Sequence, residues 1–453
     1  MKILFLTSSP GYGHTRAAEA IGIALHRDYP QIETRYLDVT ELLDPQASAA
    51  LQDGYLRMTT EYPELYQKLY NLDENFYRQL AGKIPADNEL IEFLTEQQKR
   101  SYPEEFERTL FKLPVAYKNF DSALLNTLIN SICNRPKMPI GRLLSQGLLA
   151  LIFRVLSARV KKFVADYDPD CIVATQMYPN ALLSRYIKNG ALRRPIVGVL
   201  TDYGVHGVWV RDTTFLYCVG DQDVADTLRQ QGIPAHRIRV TGIPLVPAFE
   251  AIPTQQQARD KLQLGNHPTL LITGGQCGIG VANALQQLLE DTAQHYQILV
   301  TAGSNAFDQE KLQQLARAYP DRIRLFGWQS DMCDLFSATD IVIGKPGGLT
   351  VSEALACGKP FIATCCLGGQ EQHNVNYLQK NGAGLLIETA EITRVVSELF
   401  NNPQQLSEMS KCAQALGKPH AVSHVVKELE RLMILEKTPA TNAMPILASG
   451  KLS

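Results

Sequence analysis

The sequence contains no apolar stretch close to the roughly 20 residues that a membrane-spanning helix needs. The longest candidate, Leu148–Phe153, is followed directly by the charged Arg154. The opening residues, MKILFLTSSPG, are apolar for only a few positions before a glycine-rich turn. We interpret them as a buried first strand and not as a secretory signal. The sequence therefore predicts a cytoplasmic chain whose contact with a membrane, if it has one, is peripheral.

Cysteines with the spacing of a metal or disulfide framework are also lacking. None of the nine cysteines belongs to a C-x-x-C pair, and no His/Cys cluster has zinc-ligand spacing. This pattern is typical of reduced, buried thiols, and no metal site is predicted. A strong net charge is absent too, because 44 Lys and Arg against 46 Asp and Glu leave −2. That balance argues against a nucleic-acid partner.

The length and the order of the apolar segments predict two α/β domains. A chain of 453 residues is too long for one hydrophobic core. Short apolar strands alternate with helical segments on both sides of a linker-like stretch, Pro244–Gln257, and this alternation predicts parallel sheets. We predict an N-terminal domain over residues 1–245 with a helical insertion over 50–165, a C-terminal domain over 258–435 and a disordered tail over 436–453. The predicted strands are Lys2–Thr7, Arg35–Val39, Cys171–Thr175, Ile196–Thr201, Phe215–Val219, Ile238–Thr241, Thr269–Thr273, Gln297–Thr301, Ile323–Phe326, Asp340–Ile343, Pro360–Thr364 and Gly384–Ile387.

A glycine-rich turn, residues 11–14 (GYGH), connects the first strand to a helix predicted over Thr15–His26. Glycines allow a ligand to approach the backbone, and a helix N-terminus favours negative charge. The third glycine of the dinucleotide fingerprint is missing, which argues against a dehydrogenase. His14 is predicted to face the ligand crevice, where it could act as a general base or bind a charge. The alternative is an ordinary tight turn of a doubly wound sheet.

The segment from residue 344 to 354, GKPGGLTVSEA, has the strongest ligand-binding pattern. Gly347 and Gly348 expose backbone N–H groups where a helix starts, and Thr350 adds a hydroxyl, which predicts a diphosphate-binding loop. Glu353 lies just inside that helix. Its carboxylate could accept hydrogen bonds from a ribose diol, or it could simply complement the helix N-terminus.

Two further turns follow strands of the same predicted domain. Gly274, Gly275 and Gln276 form a second phosphate- or sugar-facing turn, and a bare glycine-rich turn is the alternative. Residues 368–374, GGQEQHN, carry the side-chain types that hydrogen-bond sugar hydroxyls, or else form a solvated loop with a helix cap. Two phosphate-compatible turns in one domain favour a nucleotide ligand more strongly than either turn does alone.

Five blocks of sequence resemble one glycosyltransferase family. They are residues 7–21 (TSSPGYGHTRAAEAI), 199–209 (VLTDYGVHGVW), 240–249 (VTGIPLVPAF), 344–364 (GKPGGLTVSEALACGKPFIAT) and 368–374 (GGQEQHN). That family includes monogalactosyldiacylglycerol synthase, the bacterial processive diacylglycerol glucosyltransferases and the transferase that makes lipid II. The resemblance implies two facing Rossmann-like domains in the GT-B arrangement, with the acceptor in the N-terminal half and a UDP-sugar in the C-terminal half.

The resemblance also implies roles for individual residues. Trp328 would cover the uracil ring, Gln329 would offer its backbone to the base edge, and Glu353 would bind the ribose. His14 and Asp202 would face the cleft from the N-terminal side, and either could be the base of an inverting displacement that needs no metal ion and no other cofactor. The positions that match the donor loop, the diphosphate loop and the sugar contacts are Gly274, Gly275, Gln276, Gly347, Gly348, Leu349, Thr350, Gln370, Glu371 and Asn374.

The acceptor implied by the resemblance is diacylglycerol or a related glycolipid, which requires an anionic membrane surface, here on the inner face of the cell membrane. Basic residues strongly outnumber acidic ones from Lys112 to Lys162, beside apolar helical faces. Each basic residue near an anionic surface contributes about 1 kcal/mol. A core helix with a solvated basic edge is the alternative. The residues assigned to the acceptor or membrane side are Gly11, Gly13, Arg142, Arg154, Arg159, Lys161 and Lys162.

Two other functions stay open from the sequence. A UDP-sugar 2-epimerase shares the two-domain plan but needs no lipid, and a non-catalytic regulator could bind the same nucleotide. Residues 365–368 lack a proline run that many members of the family carry, which leaves the shape of the sugar loop open. No motif separates glucose from galactose.

Overall fold

The structure is a computed structural model, and it describes residues 1–9, 11–42, 48, 156–290, 296–303, 308–366 and 368–437. These residues form two six-stranded parallel sheets with helices packed on their faces, which confirms the predicted fold. The first sheet contains β1 (Lys2–Thr7), β2 (Glu33–Asp38), β3 (Cys171–Ala174), β4 (Ile196–Val199), β5 (Leu216–Val219) and β6 (Ile238–Val240). The second contains β7 (Thr269–Thr273), β8 (Gln297–Thr301), β9 (Ile323–Phe326), β10 (Ile341–Gly344), β11 (Phe361–Ala363) and β12 (Gly384–Leu386).

Both sheets have a point at which the direction of strand addition reverses. The first sheet has the order β2-β1-β3-β4-β5-β6, and the reversal lies between β1 and β3. The second has the order β12-β11-β10-β7-β8-β9, and the reversal lies between β10 and β7. Ligands of open α/β sheets bind at the carboxyl ends of the strands that flank such a point. The fold therefore directs attention to the loops after β1, β3, β7 and β10.

The central strands form because their apolar runs are buried on both faces, as parallel sheets require, whereas the edge strand β2 is largely exposed. Residues 3–6 of β1 and residues 270–272 of β7 are completely buried. Each large aliphatic side chain buried in this way contributes about 1.5–3 kcal/mol. The strand cores thus hold the site loops on a rigid base.

Helices connect the strands and cover both sheets. None in the described part of the chain is both long and apolar enough to cross a bilayer. They are α1 (Tyr12–Asp28), α2 (residues 156–167), α3 (Met177–Leu182), α4 (Ser184–Lys188), α5 (Gln222–Gln230), α6 (Gln255–Lys261), α7 (Val281–Glu290), α8 (Gln309–Ala318), α9 (Cys333–Ala338), α10 (Gly348–Ala356), α11 (Gln370–Lys380), α12 (Ile392–Asn401), α13 (Pro403–Leu416) and α14 (Ala421–Lys437).

The last helix returns to the first sheet. Val422, Val425 and Leu429 of α14 are buried in the cluster that contains Ile21 and Leu25 of α1. The chain therefore passes between the two sheets twice, once before β7 and once after α13. The boundaries at residues 245, 258 and 435 stay a prediction, and residues 438–453 of the predicted tail lie outside the described residues.

The end of the predicted linker is helical. A short 3-10 helix spans Pro247–Ala251, and α6 begins at Gln255. The Thr254 side chain accepts a hydrogen bond from the Gln257 backbone, and the Gln257 side chain accepts one from the Thr254 backbone, which stabilises the start of α6. Most of the predicted insertion, residues 50–155, lies outside the described part.

Candidate active site

The loops at the carboxyl ends of the strands of the two sheets meet in a cleft. His14 follows β1, Asp202 follows β4, and Gln370 begins α11 on the second sheet. These three residues, which the sequence placed in separate motifs, line one pocket. The full lining comprises His14, Gln176, Met177, Asp202, Gly204, His206, Trp209 and Gln370.

His14 lies in the first turn of α1. Its Nδ1 is 2.5 Å from Thr201 Oγ1, and its ring also hydrogen-bonds the Thr175 backbone. Burial lowers the pKa of His14 to about 4; the Thr175 hydrogen bond opposes this shift and the Lys345 ammonium reinforces it. The imidazole is therefore neutral at pH 7. Gly11 makes this placement possible, because its φ of +109° favours glycine and a Cβ there would lie 3.2 Å from the His14 ring.

Asp202 follows β4 and faces the second sheet. Its Oδ1 accepts a hydrogen bond from Asn374 Nδ2 at 3.0 Å, and its carboxylate also accepts the Gly348 N–H. Burial raises the pKa of Asp202 to about 7, and the Glu371 carboxylate raises it further, whereas the Asn374, Lys345 and Gly348 groups lower it. A carboxylate that titrates near neutrality in a cleft has the property expected of a general base.

The predicted diphosphate loop lies directly against the first sheet. Gly347 precedes α10, and Gly348, Leu349 and Thr350 form its first turn. A Cβ at Gly348 would lie 1.9 Å from the Thr201 carbonyl oxygen, so this approach requires glycine. Gly13 also faces this loop, but a Cβ there would be at an ordinary contact distance, 3.8 Å, from Leu349 Cβ. The helix N-terminus that should attract a diphosphate is thus adjacent to Asp202.

Lys345 is a central cation that the sequence reasoning missed. It follows β10, and its ammonium forms an ion pair with Glu371, whose side chain is 5% exposed. The same ammonium acts electrostatically on both His14 and Asp202. A lysine two positions before the glycines of a phosphate-type loop was the signal that could have identified it.

Asn374 is fully buried on α11. Its Oδ1 accepts the Tyr203 N–H at 2.8 Å, and its Nδ2 donates to Asp202 and to the Pro346 carbonyl, both at 3.0 Å. The Tyr203 ring stacks on Tyr377 with centroids 4.0 Å apart. Asn374 is therefore engaged with the first sheet and with the diphosphate loop.

The turn after β7 lies beside Lys345. Gly275 has a φ of +68°, and a Cβ there would lie 3.7 Å from Lys345 Cε. At Gly274 a Cβ would lie 2.5 Å from the backbone of residues 278 and 279, so the turn has no room for a side chain at that position. Gln276 belongs to the same turn. The two glycine-rich turns of the second sheet are thus neighbours, as their positions after β7 and β10 require.

The opposite end of the cleft holds the residues predicted to bind the nucleoside. Trp328 is 39% exposed and meets Tyr12 of α1 edge to face. Gln329 follows it in the same loop. Burial raises the pKa of Glu353 to about 8, and the Arg16 guanidinium opposes that shift. Arg16, whose side chain is 14% exposed, also donates to the Ser330 carbonyl.

Tyr12 and Arg16 were not among the predicted site residues. Both lie in the first two turns of α1, which the sequence assigned to the acceptor side, and helix α1 contacts α10. Because they contact the loop of Trp328, both halves of the protein contribute to the end of the cleft at which the nucleoside is predicted to bind.

The predicted membrane residues on α2 have partners within the chain. Arg159 donates to the Leu42 carbonyl, and the Lys161 ammonium lies 4.8 Å from the centroid of the Tyr186 ring. Lys162 pairs with Asp166 at 2.6 Å. Lys162 and Asp166 remain largely exposed, with side-chain exposures of 77% and 64%. Arg142 and Arg154 lie outside the described residues, so membrane contact stays a prediction.

No group of three or more His, Cys, Asp or Glu side chains within the described ranges is arranged to hold a metal ion. The acidic pair after β5 has structural partners. Asp221 caps α5 by accepting the Val224 N–H at 2.9 Å, and Asp223 pairs with Lys380 at 2.6 Å.

Two protein-family models match the chain. The monogalactosyldiacylglycerol (MGDG) synthase model matches residues 138–245, and the glycosyltransferase family 28 C-terminal domain model matches residues 269–425. The first region includes Asp202, and the second includes the turn at 274–276, both residues of the Lys345–Glu371 pair and Asn374.

Curated relatives match over a longer range. The processive diacylglycerol beta-glucosyltransferase of Bacillus pumilus is 30% identical over 275 residues, which cover 60% of this chain and 71% of the relative. The enzyme of the same name from Bacillus subtilis is 28% identical over 295 residues, or 63% of this chain and 76% of the relative.

Solved structures are similar at the level of the fold. Acinetobacter baumannii MurG superposes with a TM-score of 0.52 and 13% identity, covering 95% of this chain and 99% of that chain. The S. aureus MnaA–UDP co-structure gives 0.54 and 13%, covering 96% and 97%. At such low identity these likenesses support the two-sheet architecture and nothing finer.

Proposed function

Because the chain belongs to the family of monogalactosyldiacylglycerol synthases and processive diacylglycerol glucosyltransferases, we propose that it transfers a hexose from a UDP-sugar to diacylglycerol or a related glycolipid, with inversion at the anomeric carbon. Glucose is the hexose that we favour, since the curated relatives carry glucosyltransferase names. The observation that carries the proposal is the pocket in which His14 and Asp202 of the first sheet face Gln370 of the second, with the Gly348 N–H hydrogen-bonded to Asp202.

The donor is proposed to lie along the second sheet. Its uracil would lie on Trp328 beside Gln329, and its ribose would bind Glu353. The diphosphate would lie at the N-terminus of α10, against Gly347 to Thr350, where the helix dipole favours negative charge. The hexose would then extend towards Gln370 and the pocket that contains Asp202.

Asp202 is proposed as the base. With its pKa near 7, the carboxylate is largely ionised at slightly alkaline pH and basic enough to take the acceptor hydroxyl proton. The deprotonating oxygen attacks the anomeric carbon on the face opposite UDP, and the bond from that carbon to the diphosphate oxygen breaks as UDP leaves with the electron pair. Neutral His14 hydrogen-bonds the hydroxyl of Thr201, the residue that precedes Asp202.

Lys345 is proposed to stabilise the leaving group. As the bond to UDP breaks, negative charge grows on the diphosphate, and fixed positive groups lower the energy of that state. The ammonium lies next to the donor turn at Gly275 and pairs with Glu371 in this structure. On donor binding it would share its hydrogen bonds between Glu371 and the diphosphate.

The acceptor is proposed to reach the cleft from a membrane surface, on the inner face of the cell membrane. The basic residues from Lys112 to Lys162 would contact anionic lipid, with Gly11 and Gly13 near the acceptor. The intramolecular partners of Arg159 and Lys161 lower their expected share of that contact. No nucleic-acid partner is proposed.

The test is a donor panel with purified full-length protein and anionic liposomes that contain diacylglycerol. UDP release and lipid mass are measured with UDP-glucose, UDP-galactose and UDP-N-acetylglucosamine. We expect UDP release that depends on diacylglycerol and a lipid heavier by one hexose, greatest with UDP-glucose. An absence of lipid product with every donor, despite UDP-sugar binding, would overturn the proposal. Asp202→Asn protein in the same liposomes is the matched negative control.

A further inference from the structure

The side chain of Asn374 has both of its donors occupied within the protein. An asparagine amide has two N–H donors on one nitrogen and an acceptor oxygen. Here the nitrogen donates to Asp202 Oδ1 and to the Pro346 carbonyl, and the oxygen accepts the Tyr203 N–H. The residue is 0% exposed. The resemblance assigned Asn374 to the sugar, but its N–H groups are directed at the protein.

Asn374 and its partners belong to three elements. Asp202 and Tyr203 follow β4 of the first sheet, Pro346 precedes the diphosphate loop, and Asn374 is on the helix that begins with the predicted sugar contacts. One buried amide therefore connects the proposed base to both parts of the donor site.

Neighbouring contacts also join the loop after β4 to helices α10 and α11 of the second sheet. The Tyr203 hydroxyl lies 2.9 Å from Ser352 Oγ, and its ring stacks nearly parallel on the Tyr377 ring, with 8° between the ring planes. A Cβ at Gly204 would lie 2.3 Å from the His373 ring, so the backbone after Asp202 approaches α11 closely. The geometry of Asp202 is thus set against the second sheet and not by its own strand alone.

We propose that Asn374 is the positioning residue for Asp202, so that the donor-binding half of the protein orients the base; this inference rests on the proposed role of Asp202. Together with the Gly348 N–H, the Asn374 hydrogen bond to Oδ1 holds the Asp202 carboxylate in one orientation in the cleft.

The two roles of Asn374 predict different kinetics. A sugar contact removed by Asn374→Ala would raise KM for the UDP-sugar and leave the pH dependence unchanged. A positioning residue would leave donor affinity within about twofold and lower kcat. It would also shift the acidic limb of the pH profile of kcat/KM, the pH range in which activity falls as Asp202 is protonated. The limb moves to higher pH because Asn374 stabilises the ionised form of Asp202.

The other groups that act on Asp202 remain in the variant. They are Glu371, which raises the pKa of Asp202, and Lys345 and the Gly348 N–H, which lower it, with His14 on the same cleft. Removal of the Asn374 hydrogen bond raises the pKa of Asp202 above its value of about 7. Since the base must be ionised, we expect the acidic limb to move up by about one pH unit, with a roughly fivefold loss of kcat/KM at pH 7.

The experiment measures glycolipid formation from UDP-glucose and diacylglycerol liposomes between pH 5.5 and 9.5, together with UDP binding by calorimetry. Asn374→Asp is a second variant of nearly the same shape, which keeps the test available if Asn374→Ala does not fold. Its additional carboxylate beside Asp202 should move the limb further than alanine does. Tyr203→Phe is the matched control: it removes the hydrogen bond to Ser352 across the same junction and leaves the Asn374–Asp202 pair, so its limb should stay in place.

An unchanged limb in both Asn374 variants, or a raised KM as the main effect, would overturn the positioning role while leaving the proposed function intact. A wild-type protein that forms no glycolipid would instead overturn the proposed function, and this inference with it.

Discussion

The Tyr12 ring meets the Trp328 ring edge to face, with centroids 4.9 Å apart and ring planes at 79°. Tyr12 belongs to the first sheet's helix α1 and Trp328 to the loop after β9 of the second sheet. The pair therefore places an aromatic group of the acceptor half beside the surface proposed for uracil.

Replacing Tyr12 by leucine should weaken donor binding. An edge-to-face aromatic pair contributes about 0.5–1.5 kcal/mol, so we expect KM for the UDP-sugar to rise roughly 2–10-fold with little change in kcat. Tyr319→Leu, at an exposed tyrosine of the second sheet, is the control and should leave KM unchanged. An unaltered KM in the Tyr12 variant would contradict this assignment.

Asp202→Asn should abolish transfer without preventing donor binding. General-base catalysis contributes about 10²–10⁴-fold, so a loss of kcat in that range is expected, with UDP affinity retained. In the wild-type enzyme, kcat/KM should fall below about pH 7. The limb for kcat should lie at higher pH, because a bound diphosphate at the α10 N-terminus adds negative charge near Asp202 and raises its pKa. His14→Gln is the companion variant. If His14→Gln lowers kcat more than Asp202→Asn does, and the Asp202→Asn variant keeps the acidic limb of the pH profile, then Asp202 is not the base.

The Lys345–Glu371 pair allows its catalytic and structural effects to be separated. Lys345→Met should lower kcat about 10²–10³-fold through the loss of charge at the leaving group. It also removes the ion-pair partner of a carboxylate whose side chain is 5% exposed, which costs on the order of 3–5 kcal/mol of stability. The double variant Lys345→Met/Glu371→Gln should regain most of the lost thermal stability and little of the activity. If the double variant regained thermal stability and activity together, the Lys345–Glu371 pair would have a purely structural role.

Glu353→Gln should make the protein more stable and bind donor less well. The pKa of Glu353 is raised to about 8 in the folded state from 4.5, so the folded protein binds more protons between these values. Stability from this group is thus full below about pH 4.5 and is lost as pH rises towards 8. A neutral glutamine avoids that loss, and we expect a Tm higher by roughly 2–4 °C at pH 8.5 and unchanged or lower at pH 5. UDP affinity should fall more at pH 8.5, where Glu353 is ionised, than at pH 5, where it is already neutral. A lower Tm at pH 8.5 would mean that the folded protein needs the carboxylate.

The strands could be predicted closely from the sequence because their signal is local. Buried apolar runs bounded by polar or glycine residues gave Thr269–Thr273 and Gln297–Thr301, the ranges that the structure has for β7 and β8. Helix α1 begins at Tyr12, three residues before the predicted Thr15, because the backbone at Gly11 has positive φ and lets the helix start directly after it.

The contacts that assemble the site could not be predicted in this way. Asn374 and Asp202 are 172 positions apart, and Arg16 and Ser330 are 314 apart. No local pattern connects them, since each depends on how the two sheets face one another. Lys345 belongs to the segment 344–354 that the sequence singled out. Its contacts with Glu371 and with the turn at Gly275 exist only in the folded protein.

Helix α14 has a consequence for the order in which the protein can be completed during synthesis. Its residues Val422, Val425 and Leu429 fill the core beneath β1, which the ribosome makes first. Domains generally fold from the N-terminus as the chain emerges. Here the N-terminal domain cannot complete its core until the second domain and α14 have been translated. Until then part of its apolar surface stays uncovered. A chain released early would therefore leave an unfinished first domain, which chaperones and proteases can recognise by that exposed surface.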